Sequence, residues 1–180
     1  MTQNPATRQI VLLRGINVGK AKRIAMADLR SLLAGLGHTE VVTVLQSGNA
    51  MVTATTEPTV TEQLVHAAIT ERFGFDVAVL VRSADELAAA IAADPFGQAA
   101  PDGSKHLLGF LSRPPKAGSV AAVLDRHPDG NLRFEGGHLY LWCPDGVLKS
   151  PFATVDWQRE LGVDVTMRNW NTLTKLAALA

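Results

Sequence analysis

The stretch QIVLLRGINVGKAKRIAMADLRSLLAGLG, residues 9–37, contains a strand signal, a basic loop and a helix signal in succession. Residues 9–13 form an apolar run, which is typical of a strand with neighbours on both sides. The apolar residues between Met26 and Leu36 recur at helical spacing, and Gly37 follows as a C-terminal stop. The stretch therefore predicts a strand, a loop and a helix in that order.

The segments that follow predict four more secondary-structure elements, which makes six in all. The stretch EVVTVLQSGNAMVTA, residues 40–54, predicts a hairpin of two strands around QSG. The capping-box spacing of Thr59 and Glu62 predicts the start of a second helix, which Gly74 ends. The stretch DVAVLV, residues 76–81, predicts the closing strand. The order βαββαβ is that of the split-βαβ, or ferredoxin-like, arrangement.

The same element order occurs a second time. A second capping box, Ser83 to Glu86, opens an alanine-rich helix, and Pro95 and Gly97 end it. Beyond it we predict a strand at His106, a helix, a hairpin, a helix starting at the pair Ser150 and Pro151, and a short strand. We therefore predict an α+β fold of two tandem ferredoxin-like halves, residues 8–82 and 105–167, with a linking helix and loop, residues 83–104, and a C-terminal helix, residues 168–180.

Composition excludes several classes of protein. The chain has 180 residues, 47% of them hydrophobic and 19% charged, which is ordinary globular composition. Its single cysteine, Cys143, excludes an intramolecular disulfide and a cysteine-rich zinc site. No signal peptide or membrane-spanning run is evident, so we expect a cytoplasmic protein without a membrane partner. The formal net charge of zero predicts no attraction of the whole molecule to nucleic acid or anionic lipid.

The charge is nevertheless unevenly distributed. No acidic residue precedes Asp28, whereas five basic residues do: Arg8, Arg14, Lys20, Lys22 and Arg23. In a sheet of order 4-1-3-2, the exit of the first strand and the hairpin turn share one end. We therefore expect RGIN, residues 14–17, to lie beside QSGN, residues 46–49. A guanidinium, carboxamides, a hydroxyl and backbone amides at that end would suit a phosphate or a carboxylate.

A purely structural interpretation of the same residues is open as well. The glycines of these segments would then supply turn conformations, Asn17 and Asn49 would bond to local backbone, and the cations would be solvated. The similarity of GINVGK to a phosphate-binding Walker A loop fails, because three residues rather than four separate its glycines and Ala21 replaces the Ser or Thr that binds magnesium. The stretch is not GxGxxG either. A P-loop NTPase and a Rossmann dinucleotide site are excluded.

Several motifs resemble those of the uncharacterised family called domain of unknown function 1697. They are LLRGINVGKAKRIAMADLRSLLAGLG, LQSGNAMV, VRSADEL, DPF, KHLLGFLSRP and RNWNTLTKL, which together extend from about Ile10 to Leu176. The resemblance implies a duplicated ferredoxin-like fold and brings no activity with it. Members of the family commonly have a glycine where this sequence has Lys20. In RNWNT, we expect Trp170 to anchor the C-terminal helix, and Arg168 is a candidate anion ligand.

Other candidate chemistry is weak. The five histidines show no metal-ligand spacing, so we expect them on loops or at the surface. Cys143 is expected to be a small buried residue rather than a nucleophile. Ser47 lacks the GxSxG context of a serine nucleophile. No cofactor and no metal ion is implied.

The leading hypothesis is a cytosolic protein that binds an anionic ligand: a nucleotide, a phosphorylated metabolite or a nucleic-acid backbone. The candidate ligand-binding residues are Arg14, Asn17, Lys20, Lys22, Arg23, Ser47, Asn49 and Arg168. One alternative is an enzyme of unassigned chemistry that uses the same site. Another is a homo-oligomeric interaction module without a ligand.

Overall fold

The computed structural model describes residues 5–180 and divides the chain into two units. The first unit comprises the chain up to Ala88 together with Lys175–Ala180, and the second comprises Ala89–Thr174. The first six secondary-structure elements along the chain are β1 (Thr7–Leu13), α1 (Met26–Gly35), β2 (Thr39–Val44), β3 (Asn49–Ala54), α2 (Pro58–Phe73) and β4 (Val79–Ser83). This is the predicted order βαββαβ.

The remaining elements begin with the linking helix α3 (Ala84–Ala92). They continue with β5 (His106–Leu111), α4 (Ser119–Arg126), β6 (Leu132–Glu135), β7 (His138–Trp142), α5 (Trp157–Leu161), β8 (Val165–Asn169) and α6 (Trp170–Ala177). Short 3₁₀ turns occupy Gly97–Ala99, Val147–Lys149 and Pro151–Thr154. The protein is thus of mixed α+β class, and its second half repeats the element order of the first.

Each half contains one four-stranded antiparallel sheet. The strand orders are β2-β3-β1-β4 and β6-β7-β5-β8, so the first strand of each half is central. In the first sheet, β1 pairs with β3 on one side and β4 on the other, and Ile10, Val11, Leu12 and Leu13 are all fully buried. The prediction that the apolar run at residues 9–13 is a strand with two neighbours is confirmed.

Each sheet has a hydrophobic core of its own on one face. In the first half, alternate residues Val11 and Leu13 of β1 pack with Leu29 and Leu33 of α1 and with Val65 of α2. In the second half, apolar residues of β5 to β8 pack with Val123 of α4, Phe152 and Leu161. Burial of such side chains stabilises each sheet by about 1.5–3 kcal/mol per residue before entropy is counted.

One of the two predicted capping boxes is present in the structure and the other is not. Ser83 and Glu86 form the predicted capping box, in which Ser83 N–H donates to Glu86 Oε2 at 2.7 Å and Glu86 N–H donates to Ser83 Oγ at 3.1 Å. The box predicted at Thr59 and Glu62 is wrong. The helix begins two residues earlier than an N-cap at Thr59 would give: Glu57 is the N-cap and Pro58 the first helical residue, a position that suits proline. Glu62 Oε2 instead accepts a hydrogen bond from Val81 N–H at 3.0 Å.

Two further predictions need correction. The helix expected to reach from Ser150 to Leu161 is divided into the 3₁₀ turn Pro151–Thr154 and α5, because Asp156 caps α5 by accepting a hydrogen bond from Arg159 N–H at 3.1 Å. The strand expected at residues 76–81 is displaced to Val79–Ser83. Its polar residues Arg82 and Ser83 pair with Ile10 and Gln9 of β1, which an apolar pattern could not indicate.

Candidate functional site

Asn17 fixes the loop between β1 and α1. Its backbone is left-handed at φ 57°, and its N–H donates to Lys22 O at 3.1 Å. Its side-chain Nδ2 donates to Ile24 O at 2.9 Å and to Gln46 O at 2.6 Å, while Oδ1 accepts from Ile24 N–H at 3.0 Å. One carboxamide therefore closes the loop on itself and joins it to the hairpin turn.

The hairpin turn lies against the end of β1. Leu13 N–H donates to Gly48 O at 2.8 Å. Gly48 has φ 78°, and a Cβ at this position would lie 2.7 Å from Leu13 Cβ and 2.8 Å from Ile16 Cδ1. The close approach requires glycine at this position. The expected juxtaposition of RGIN and QSGN is therefore present in the structure.

Asn49 and Ser47 belong to the framework of the hairpin. Asn49 is fully buried, and its Nδ2 donates to Val44 O at 2.9 Å and to Ser47 Oγ at 3.0 Å. Ser47 is exposed. Both hydrogens of the Asn49 amide, like those of Asn17, are thus used by neighbouring groups. The two carboxamides position this end of the sheet, as the structural interpretation anticipated, and Ser47 is the more exposed residue of the pair Ser47 and Asn49.

Lys20, Lys22 and Arg23 are the exposed cations of the loop. None of them forms an ion pair within residues 5–180. Two other arginines of the first unit do have carboxylate partners: Arg72 Nη2 lies 3.3 Å from Asp28 Oδ1, and Arg8 Nη1 lies 3.6 Å from Glu40 Oε2. The first acidic residue after the loop is therefore already engaged.

The ends of the loop are held by apolar anchors that the sequence analysis did not single out. Ile16 and Ile24 are 2% and 1% exposed and pack in the core of the first half. Their signal was present, since both are aliphatic residues in an otherwise basic segment.

Arg14 is half-buried, and its backbone N–H donates to Ala78 O at 2.9 Å. Lys20 is not left-handed, whereas Lys22 is, at φ 51°, so the position of Lys20 does not require glycine.

Arg168 belongs to the second unit and is half-buried in β8. Its Nη1 donates to Met167 O at 2.8 Å, and burial lowers the pKa of the guanidinium to about 10. It pairs in register with Leu108 of β5. It therefore belongs to a different unit from the β1–α1 loop.

The expectation that all five histidines lie on loops or at the surface is wrong for His106, which is buried in β5, whereas the buried His38 does lie in a loop, between α1 and β2. His38 is 6% exposed and His106 is 1% exposed. The His106 ring stacks on Trp170 with centroids 4.1 Å apart, and its Nε2 lies 3.2 Å from Asp94 Oδ1 without hydrogen-bond geometry. Burial lowers the pKa of His106, and the nearby Asp94 carboxylate opposes that shift. Residues from DPF, KHLLGFL and RNWNT thus meet in one cluster.

The cluster has a structural explanation. Asp94 accepts hydrogen bonds from Phe96 N–H at 3.0 Å and Gly97 N–H at 3.1 Å. Asn169 caps α6 by accepting from Thr172 N–H at 3.0 Å. Trp170 therefore anchors the start of α6 against His106, as its position before an amphipathic helix predicted. Cys143 is also buried, as expected, and burial raises the pKa of its thiol.

A polar cavity of about 280 Å³ lies in the second unit between α4 and α5. Arg126 and Arg159 line it together with Asp156 and Glu160, and Arg126 is paired with Glu160. Because two cations face two carboxylates, the cavity carries no excess of positive charge. It is a weaker candidate for an anion site than the loop of the first half.

The structure also bears on two general classes of function. Within residues 5–180, no three side chains of His, Cys, Asp or Glu are grouped closely enough to hold a metal ion. Over the same residues, none of the helices has both the length and the apolar character needed to cross a membrane.

Comparisons with known proteins complete the description. The model of a family described as "Protein of unknown function (DUF1697)" matches residues 6–140. Among curated proteins, none matches the sequence. A solved structure of a conserved bacterial protein from Streptococcus pneumoniae is similar, with a TM-score of 0.72 and 20% sequence identity over 97% of this chain and 98% of that one. At that identity the similarity concerns the fold alone.

Proposed function

Because the chain belongs to the DUF1697 family, whose description assigns no activity, we propose a function from the geometry of the site: binding of a phosphate-bearing anion at the β1–α1 loop. The ligand contacts are Lys20, Lys22 and Arg23, with Arg14 and the Ser47 hydroxyl beside them. We place the protein in the cytosol, where nucleotides, phosphorylated metabolites and nucleic acids are all available. The one observation that carries the proposal is that three exposed cations without ion-pair partners within residues 5–180 are clustered in four consecutive positions, 20–23.

The spatial arrangement supports this assignment. Three like charges within four residues repel one another, and a bound anion relieves that repulsion. The loop that presents them is held by the four hydrogen bonds of Asn17 and by the buried Ile16 and Ile24. A loop fixed in this way loses little conformational freedom on binding. Asn17 and Asn49 are therefore positioning residues, and the cations contact the ligand.

The start of α1 adds a weaker contribution. The helix begins at Met26, and Ala25 before it offers no capping side chain. Backbone N–H groups of a first helical turn favour negative charge nearby. This supports a phosphate beside Arg23, although the charged side chains remain the main determinant.

We also propose that both halves are ferredoxin-like and arose by duplication. The support is the equivalent strand order of the two sheets and a correspondence between single residues. Arg82 pairs with Ile10 and donates to Val81 O at 2.7 Å, while Arg168 pairs with Leu108 and donates to Met167 O at 2.8 Å. In each half the next residue caps the following helix. On this proposal both arginines have a structural role at a strand-to-helix junction.

Isothermal titration with inorganic phosphate and ATP tests the proposed function. The variant is K20A/K22A/R23A, and the control is K116A/K149A/K175A, which removes the same number of exposed positive charges outside the loop. Exposed charge contacts are each worth about 0.2–1 kcal/mol, so loss of three should weaken binding by the loop variant about 3- to 150-fold. The control should bind like wild type. Equal affinity in all three proteins, or no binding by wild type, would overturn the proposal.

A further inference from the structure

The shape of the β1–α1 loop restricts the kind of anion that it can bind. Residues 18–23 are six consecutive exposed residues, and the apolar Val18 at their start is 75% exposed. In a small-molecule site the lining residues surround the ligand and bury most of its surface. A loop in which six consecutive residues, including a valine, are exposed forms no such enclosure. The ligand is therefore expected to present its own surface to the loop.

The spacing of the cations points to several phosphates rather than one. Lys20 and Arg23 are three residues apart, so their Cα atoms are separated by at most about 11 Å. A nucleic-acid duplex presents roughly six phosphate charges over that length of helix axis. Three long side chains on an exposed loop can each contact a different phosphate of such a ligand.

The exposed apolar residues argue against recognition of single strands. Proteins that bind single-stranded nucleic acid stack its bases on aromatic side chains. Within residues 5–180 the large hydrophobic side chains that are strongly exposed are Val18, Val42, Leu45, Val60, Leu64 and Leu148, and none is aromatic. In the first half Phe73 and Phe75 are half-buried and stack on each other at 6.0 Å. The loop therefore has charge without a stacking platform.

From these observations we propose that the anion bound at the β1–α1 loop is the phosphate backbone of duplex nucleic acid. The inference rests on the proposed anion-binding function and deepens it. Lys20, Lys22 and Arg23 contact phosphates across the backbone, and no base is read. Binding is therefore independent of sequence and sensitive to salt, since each phosphate that is neutralised releases counterions.

Fluorescence anisotropy with a labelled 24-base-pair duplex tests the inference, with DNA and RNA duplexes as parallel arms. Three phosphate contacts predict that binding to the DNA duplex weakens by about 40-fold between 50 and 200 mM salt. The K20A/K22A/R23A variant should lose that dependence, and the K116A/K149A/K175A control should keep it. The arm with the tighter loop-dependent binding identifies DNA or RNA as the source of the phosphates.

Three outcomes would overturn the inference. They are absence of binding to either duplex, equal or tighter binding of the corresponding single strand, and equal loss of duplex binding in the loop and control variants. The result is separable from the test of the proposed function. If phosphate or ATP binds in a loop-dependent manner and duplexes do not, the anion site stands and its assignment to nucleic acid fails.

Discussion

Asn17 Nδ2 lies 2.6 Å from Gln46 O, so one carboxamide ties the basic loop to a hairpin turn 29 residues further along the chain. The same side chain bonds both backbone groups of Ile24. This residue lies between two parts of the candidate site, and its backbone N–H donates to Lys22 O at 3.1 Å. Its replacement should therefore affect stability and anion affinity together.

We expect Asn17→Ala to destabilise the protein by about 3 kcal/mol, because three hydrogen bonds of about 1 kcal/mol each are lost at a left-handed position. Asn17→Gly loses the same bonds but adopts the left-handed backbone readily, so it should be about 1 kcal/mol more stable than the alanine variant. Urea denaturation measures both values. An alanine variant within 1 kcal/mol of wild type would contradict the role assigned to Asn17.

Gly48 offers a second test of the contact between the hairpin turn and β1. Gly48→Ala places a methyl group 2.7 Å from Leu13 Cβ at φ 78°, so overpacking and backbone strain should together cost about 3 kcal/mol or more. Gly15→Ala is the matched control, since Gly15 has φ 73° and no atom within 4 Å of the added carbon. Its cost should be about 1–2 kcal/mol. Equal losses in thermal or urea unfolding would mean that the close approach is unimportant.

Burial of His106 and His38 predicts a dependence of stability on pH. The pKa of each is lower in the folded protein than in the unfolded chain, so the unfolded chain binds protons more readily. The contribution of these histidines to the free energy of unfolding should therefore be greatest above about pH 6.5 and decrease as the pH falls below that value. His106→Phe keeps a ring against Trp170 and cannot titrate, so its decrease should be smaller. An identical pH profile for this variant and wild type would exclude His106 as a contributor.

Tyr140 predicts a loss of stability at the alkaline end. Its hydroxyl donates to Ala90 O at 2.7 Å in a buried position, and burial raises its pKa to about 12. The unfolded tyrosine ionises near pH 10, so the stabilisation is full below that value and is lost as pH rises through 12. Tyr140→Phe should cost about 1–2 kcal/mol at pH 7 and lack the decrease specific to this range. Denaturation at pH 7 and pH 11 distinguishes the two proteins, and parallel declines would contradict the assignment.

The sequence predicted element type well where the periodicity was regular. The apolar run of β1, the second hairpin, formed by β6 and β7, and the Ser83 capping box were predicted from local signals, and each is present in the structure. The capping box at Thr59 failed because Pro58 competes for the first helical position, and the helix after Ser150 was divided because Asp156 starts a new one. Local rules could not rank these competing signals.

The location of the candidate site could be predicted from the sequence, but the roles of its individual residues could not. Topology brought residues 14–17 to residues 46–49, and the sequence alone supplied the unbalanced charge. The structure was needed to separate the residues that position the loop from those that contact the ligand. The sequence around a loop asparagine is the same whether its side-chain amide forms hydrogen bonds with the backbone or with a ligand. The buried cluster of Asp94, His106 and Trp170 was missed for a similar reason: residues far apart in sequence meet only after folding.

The most direct test of the account is a phosphate titration followed by amide chemical shifts in a ¹H–¹⁵N spectrum of the full chain. Binding at the loop should shift the amides of residues 14–24 and 46–49, including Gly15, Gly19 and Gly48, and K20A/K22A/R23A should abolish the shifts. The K116A/K149A/K175A control should retain them. Absence of shifts in wild type, or shifts confined to other parts of the chain, would contradict the claim that this loop binds an anion.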